Sequence, residues 1–437
     1  MSNEMAYPQP KDRLVKLAED IFTPVKNRYC ISCFFISGTG KRILIKFLLH
    51  EEKILKRIFG KDFNKTIFIY IDPDEIIDTT NESYLQLILE NLQRSAKEKK
   101  IKLPKQNSLN PLFLIKDYVK YLINQGWHLI FLLNDFEFTL NLSPSIYRNF
   151  ESILALNKAQ VTYVFLSTIN LLDEATLDKF HNFKYAINRV LYYHELSDQE
   201  SIDFVLENTA QKLNIQISDK LKKLLVELCG GHIQLLKYCL TILNEAGSEY
   251  LIATEKTKKY LINYDQIKSV CNDIWNYLNP NEKKILINVV KIGRIPDSLI
   301  SKANFLLKTG LIKNKNNTYE LFGELLKHYI QNQIPQEKLS YDPKTNQIYY
   351  GLKPCTDIFT FQEFKLLVHF LKNEDKVISR DEVAQILWGK NYVEHYSDWS
   401  IDKIISSMRK KMGEMNFPSS KLVTLKKRGF TFSNYFL

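Results

Sequence analysis

The sequence predicts two architectures in one chain: a parallel α/β sheet first, then helical segments and small units closed by hairpins. Two observations carry this. Residues 30–195 contain five short, continuously apolar runs separated by amphipathic helical stretches. Such runs suit strands buried on both faces, and the helices between them make the connections parallel. Beyond residue 195 helical periodicity takes over, with hairpin patterns in NFLLKTGLIKNKNNTYELF (304–322) and LVTLKKRGFTF (422–432).

Taken in order, the strand candidates are CISCFFI (30–36), TIFIYID (66–72), HLIFLLND (128–135), VTYVFLST (161–168) and RVLYYHE (189–195). Helices are expected over 83–100 and 112–126. Residues 1–195 form the sheet domain. Residues 196–262 are wholly helical, with a Gly-Gly break at 230–231. Residues 263–335 pass from helices into a hairpin, the pattern of a winged helix. Residues 336–437 start afresh with a small antiparallel sheet, three helices and a closing hairpin. No period of 20–50 residues marks a repeat array.

Composition narrows the function classes. The 437 residues carry a formal charge of +11, which favours an acidic partner such as nucleic acid or a membrane surface. Glycine (14) and proline (13) are scarce, against an all-β or disordered chain. No apolar run approaches the ~20 residues of a membrane span, and no secretory signal follows the first charges. A cytoplasmic protein without a membrane partner is expected. The six cysteines do not form a disulfide framework. Cys30 and Cys33 sit on a strand at odd spacing, pointing to opposite faces, so two buried thiols are expected and no metal site.

The C-terminal hundred residues carry the clearest pattern. In SIDKIISSMRKKM (400–412), Ile401, Ile405, Met408 and Met412 make one apolar stripe. Trp399, Ser400, Lys403, Ser406, Ser407, Arg409, Lys410 and Lys411 supply side chains able to meet base edges or phosphates, on a helix that a major groove admits. Lys426, Lys427 and Arg428 cluster at a hairpin tip beside Gly429. Residues 403–437 hold eight Lys/Arg against one acid, Glu414. These pieces, with Ile348-Tyr-Tyr-Gly-Leu-Lys-Pro354 before them and Thr424-Leu-Lys-Lys-Arg-Gly-Phe430 after, resemble the effector domain of OmpR/PhoB-type response regulators. The resemblance implies a winged helix-turn-helix on double-stranded DNA, its third helix in the major groove and its wing on the minor groove or backbone. It also implies a contact with RNA polymerase through GKNYVEHYSD (389–398), and tandem or two-fold binding as a homo-oligomer. The receiver domain usual in that family is not recognisable.

FISGTGKR (35–42) departs from the phosphate-loop pattern G-x-x-x-x-G-K-[ST] at both ends. Ser37, Gly38, Thr39, Gly40 and Lys41 retain backbone N–H groups, a helix start and a lysine for phosphates. Phe35 replaces the first glycine. Arg42 stands where a hydroxyl would hold Mg²⁺; a guanidinium cannot coordinate a cation but can meet a phosphate. The second motif is LLNDFE. In one alignment Asn134 takes the metal-supporting position and Asp135 the catalytic one; a one-residue shift makes Asp135 the metal acid. With Val164-Phe-Leu-Ser-Thr168, Glu195-Leu-Ser and Gly230-Gly-His-Ile-Gln-Leu-Leu236, these motifs resemble the STAND branch of AAA+-like P-loop ATPases. That implies a P-loop NTPase-like sheet, a helical lid and a winged helix, with ATP or ADP between sheet and lid and His232 near the nucleotide. The altered positions predict little or no Mg²⁺-dependent hydrolysis. The expectation is a DNA-binding regulator with a nucleotide switch. Its alternatives are an ATP-hydrolysing initiator, loader or defence ATPase, and an interaction scaffold with an inactive nucleotide fold.

Overall fold

In the computed structural model, residues 8–105, 108–315, 318–334, 338–351, 353–389, 397–415, 417–426 and 428–434 are described. The chain forms two compact units, one through Gln331 and one from Asn332.

The first unit is built on five parallel strands: β1 (Ile31–Phe34), β2 (Thr66–Ile71), β3 (His128–Leu133), β4 (Val161–Ser167) and β5 (Leu191–Tyr193), in the order β2-β3-β4-β1-β5. All five apolar runs thus become strands. The period-two alternation of β4 shows how both faces are buried. Val164 and Leu166 pack with Ile31, Cys33, Ile45 and Phe22 on one face. Tyr163 and Phe165 join Phe131, Phe136, Phe150 and Phe183 on the other. Cys30 and Cys33 are buried, and burial pushes the Cys30 thiol up to about 11.

The helical segment comprises Gln199–Leu213, Asp219–Cys229 and Ile233–Ala246. Gly230 ends the second helix in the left-handed region (φ 51), and Gly231 follows at φ 89. A Cβ on Gly230 would collide with the backbone of Phe322, so this turn lies directly against the next hairpin. That hairpin, β6 (Ile312–Lys315) with β7 (Thr318–Leu321), follows the helices Asp265–Asn276, Pro280–Ile292 and Asn304–Lys308. Helix Pro280–Ile292 starts with a capping box in which Asn279 and Glu282 satisfy each other's backbone N–H.

The second unit opens with three short antiparallel strands, β8 (Leu339–Asp342), β9 (Gln347–Tyr350) and β10 (Lys353–Pro354). Helices Phe361–Lys372, Arg380–Trp388 and Asp398–Glu414 follow, then the hairpin β11 (Leu422–Leu425) and β12 (Gly429–Phe432). Leu366, Phe370, Val383, Leu387, Ile401, Ile405, Met408, Met412 and Phe430 fill its core. The stripe read from the sequence is thus the buried face of the third helix. Gly429 (φ 127) is required twice: by its backbone conformation, and because a Cβ would meet the Ile378 carbonyl. Among the described residues, no helix is long and apolar enough to cross a membrane.

Candidate nucleotide and DNA sites

The Ser37–Lys41 loop lies at the carboxyl end of β1, where ligands of such sheets bind. Gly38 (φ 81) and Gly40 (φ 86) adopt left-handed conformations, and Gly40 opens helix Lys41–His50. No side chain caps that helix, which leaves its first N–H groups for an anion. Thr39 is buried, and its hydroxyl donates to the Ile36 carbonyl at 2.8 Å, within the loop. The backbone of Ser37–Lys41 and the Lys41 ammonium therefore suit a phosphate group.

Asn134 follows directly on β3, fully buried, and its amide donates to Asp135 (2.6 Å) and Asp72 (3.4 Å). Its Oδ1 has no protein partner. Asp135 takes a left-handed conformation (φ 44), which turns its carboxylate back toward the loop. There Oδ1 accepts from Lys41 Nζ at 2.5 Å, and Oδ2 lies 3.4 Å from the Arg42 guanidinium.

The sequence reading offered Arg42 to a phosphate; the structure places it among carboxylates. Its Nη2 reaches Asp74 at 2.5 Å and Asp72 at 3.2 Å, besides Asp135. Lys46 lies 3.7 Å from the other oxygen of Asp72. The hydrogen bond to Asp74 holds the Arg42 pKa above its ordinary value; burial opposes this and the charges of Asp72, Asp74 and Asp135 reinforce it. These acids do not fit Mg²⁺. Position 42 has no hydroxyl, and the carboxylates expected to support a divalent ion already hold Lys and Arg. Among the described residues, no cluster of three His, Cys, Asp or Glu is arranged to hold a metal.

The helical segment meets the loop through the start of helix Ile233–Ala246. His232 Nε2 donates to the Ser37 carbonyl at 2.7 Å, and its Nδ1 accepts from Leu235 N at 3.3 Å as the helix cap. These two bonds fix one neutral tautomer, and burial lowers the pKa to about 4. Gln234 N donates to the Gly38 carbonyl at 3.3 Å. At the end of β4, Thr168 donates both its N–H and its hydroxyl to Glu137. Asp72, Asp74, Lys46, Gln234 and Glu137 were not singled out in the sequence. The signal available for Asp72 was its place at the end of TIFIYID, at the carboxyl edge of the sheet.

In the second unit, helix Asp398–Glu414 presents Trp399, Lys403, Ser406 and Lys410 to solvent, at i, i+4, i+7 and i+11. Lys403 lies 5.2 Å over the Trp399 ring, and Ser400 folds its hydroxyl back onto Ser397 O at 2.7 Å. Ser407, Arg409 and Lys411, which the sequence reading assigned to DNA, are engaged within the unit. Ser407 Oγ and Lys411 Nζ donate to the buried Glu363 at 2.6 and 2.5 Å. Arg409 donates to Leu422 O (2.8 Å) and Thr424 Oγ1 (2.7 Å), tying the helix to β11. The pattern of one helix could not show this, because Glu363 approaches from another. At the hairpin tip Lys426 and Arg428 are exposed; Lys427 lies outside the described residues. So does 390–396, most of the segment expected to contact RNA polymerase.

Residues 358–432 match the family described as "Transcriptional regulatory protein, C terminal". The second unit thus carries an OmpR/PhoB-type winged-helix DNA-binding domain. In particular, the chain is 32% identical over 108 residues to the phosphate regulon transcriptional regulatory protein PhoB of Escherichia coli, covering 24% of this chain and 44% of PhoB. It therefore spans less than half the length of that relative. Among solved structures, the C-terminal DNA-binding domain of RstA from Klebsiella pneumoniae is 24% identical, covering 22% of this chain and 84% of that one, with a TM-score of 0.19. A Walker-type ATPase of Pyrococcus abyssi is 15% identical, covering 74% of this chain and 95% of that one, with a TM-score of 0.46.

Proposed function

We propose that the protein is a DNA-binding transcriptional regulator of the cytoplasm. Helix Asp398–Glu414 reads duplex DNA in the major groove and the Lys426–Arg428 tip holds the flanking backbone. The exposed row Trp399, Lys403, Ser406 and Lys410 carries this reading. A cation-bearing helix face beside a basic hairpin is the footprint of phosphate contacts combined with base contacts. In the first unit, ATP or ADP binds the Ser37–Lys41 loop and acts as a switch, with hydrolysis weak or absent. RNA polymerase contact through 389–398 and homo-oligomeric binding belong to the same proposal.

The test is selection of bound duplexes from a random library by the full-length chain, followed by titration of the enriched sequence against a scrambled one. Lys403→Ala with Lys410→Ala is expected to weaken the enriched duplex by at least about ten-fold, on the scale of one or two lost contacts. A chain that enriches no sequence, and binds no duplex at low salt, would refute the reading in favour of a protein-binding scaffold.

A further inference from the structure

The acids around Arg42 support a more specific statement about the ligand, one that rests on the nucleotide-switch reading above. Three carboxylates, Asp72, Asp74 and Asp135, meet three cations, Lys41, Arg42 and Lys46. The cage is therefore balanced by side chains alone. Asp72 is 3% exposed and has both oxygens engaged: Oδ1 by Arg42 and Asn134, Oδ2 by Lys46. Asp135 likewise gives Oδ1 to Lys41 and Oδ2 to Arg42 and Asn134.

We propose that this site takes nucleotide phosphates free of divalent metal, with Arg42 as the resident counter-charge, and that Mg²⁺ opposes binding. Mg²⁺ demands near-octahedral oxygen ligands at about 2.0–2.1 Å and gives up its waters reluctantly. To reach Asp72 or Asp135 it would have to displace a guanidinium held by three carboxylates. A Mg²⁺-chelated nucleotide that left the cage intact would bring its cation against Arg42 and Lys41 with no free carboxylate oxygen to complete its coordination. Free phosphates meet no such conflict: Lys41 and the open N–H groups after Gly40 attract them. Mg²⁺ chelates a triphosphate more tightly than a diphosphate. In Mg²⁺-containing solution the site therefore favours ADP over ATP.

The experiment is calorimetric titration of the full-length chain with ADP and with ATP, in EDTA and in excess MgCl₂. Wild type is expected to bind both in EDTA and to lose at least about ten-fold in apparent affinity for ATP when Mg²⁺ is in excess, with a smaller loss for ADP. Lys41→Ala abolishes binding in both buffers. Arg42→Thr restores the hydroxyl and frees the carboxylates, so Mg²⁺ no longer weakens its binding. Arg42→Lys keeps the charge and should retain the opposition, which guards against misreading a folding defect in Arg42→Thr. Wild-type binding that Mg²⁺ tightens or leaves unchanged overturns this inference and leaves the nucleotide reading standing. No binding in either buffer overturns the nucleotide reading, and this inference with it.

Discussion

Glu363→Ala should loosen helix Asp398–Glu414. Glu363 is 3% exposed in the first helix of the second unit. Its carboxylate receives Lys411 Nζ at 2.5 Å, Ser407 Oγ at 2.6 Å and the Thr360 N–H at 2.7 Å. The first two come from one face of helix Asp398–Glu414, a turn apart, so this group reinforces the orientation that the buried stripe and Arg409 give that helix. A hydrogen bond to a charged group contributes about 1.5–3 kcal/mol, and breaking a buried pair costs about 3–5 kcal/mol. Lys411 retains some access to water, so the lower end applies: about 3 kcal/mol. At about 4–8 °C per kcal/mol for a domain near a hundred residues, the melting transition of the second unit should fall by roughly 15 °C in scanning calorimetry. The pH dependence has a defined sign. Burial pushes the Glu363 pKa up, but the bonds from Lys411, Ser407 and Thr360 outweigh it and hold it below its ordinary value. Its stabilisation is therefore complete above about pH 4.3, the unfolded carboxyl value, and is lost as pH falls through the folded value. A shift under about 3 °C for Glu363→Ala would refute the reasoning, because water would then serve Lys411 and Ser407 equally well.

Three further outcomes are expected. Lys403→Ala combined with Lys426→Ala should lower by about 2 the slope of log affinity against log salt, provided each touches a phosphate; an unchanged slope in anisotropy titrations would remove both from the interface. Glu282 accepts from Asn279 N and Asn170 Nδ2 at the foot of helix Pro280–Ile292, and burial raises its pKa to about 7. The first unit should then lose stability as pH rises from about 4.3 toward that folded value and level off beyond it, and urea melts of Glu282→Gln should lack this trend. Gly230→Ala combines a left-handed conformation with a collision against the Phe322 backbone, so it should cost about 3 kcal/mol or more; a wild-type urea midpoint would show that the turn yields.

The five strands were legible because a strand buried on both faces has no polar side to interrupt its apolar run. The buried stripe of the third C-terminal helix was legible for the related reason that period alone defines it. Arg42 could be flagged as a departure from a motif, but not its partners. Asp72 and Asp74 stand 30 and 32 residues away, and only the parallel order β2-β3-β4-β1 gathers them with the loop at one edge of the sheet. Ser407 and Lys411 sit on the flank of their helix, where periodicity is neutral; a carboxylate from another helix decided their direction. His232 was placed near the nucleotide by resemblance alone. Its double bond to loop and lid depends on a tautomer, which sequence does not encode.

That histidine gives the start of helix Ile233–Ala246 the character of a latch. His232 Nε2 on Ser37 and Gln234 N on Gly38 hold two neighbouring carbonyls of the loop from a single helix start. Because donors and acceptors both belong to short, stiff segments, neither bond can be stretched far without the other. A small push on this helix start is passed directly to the loop. Release comes once both bonds are overcome together, at a threshold of about 2 kcal/mol for two ordinary hydrogen bonds. Up to that threshold the helix start and the loop move as one piece; beyond it they part.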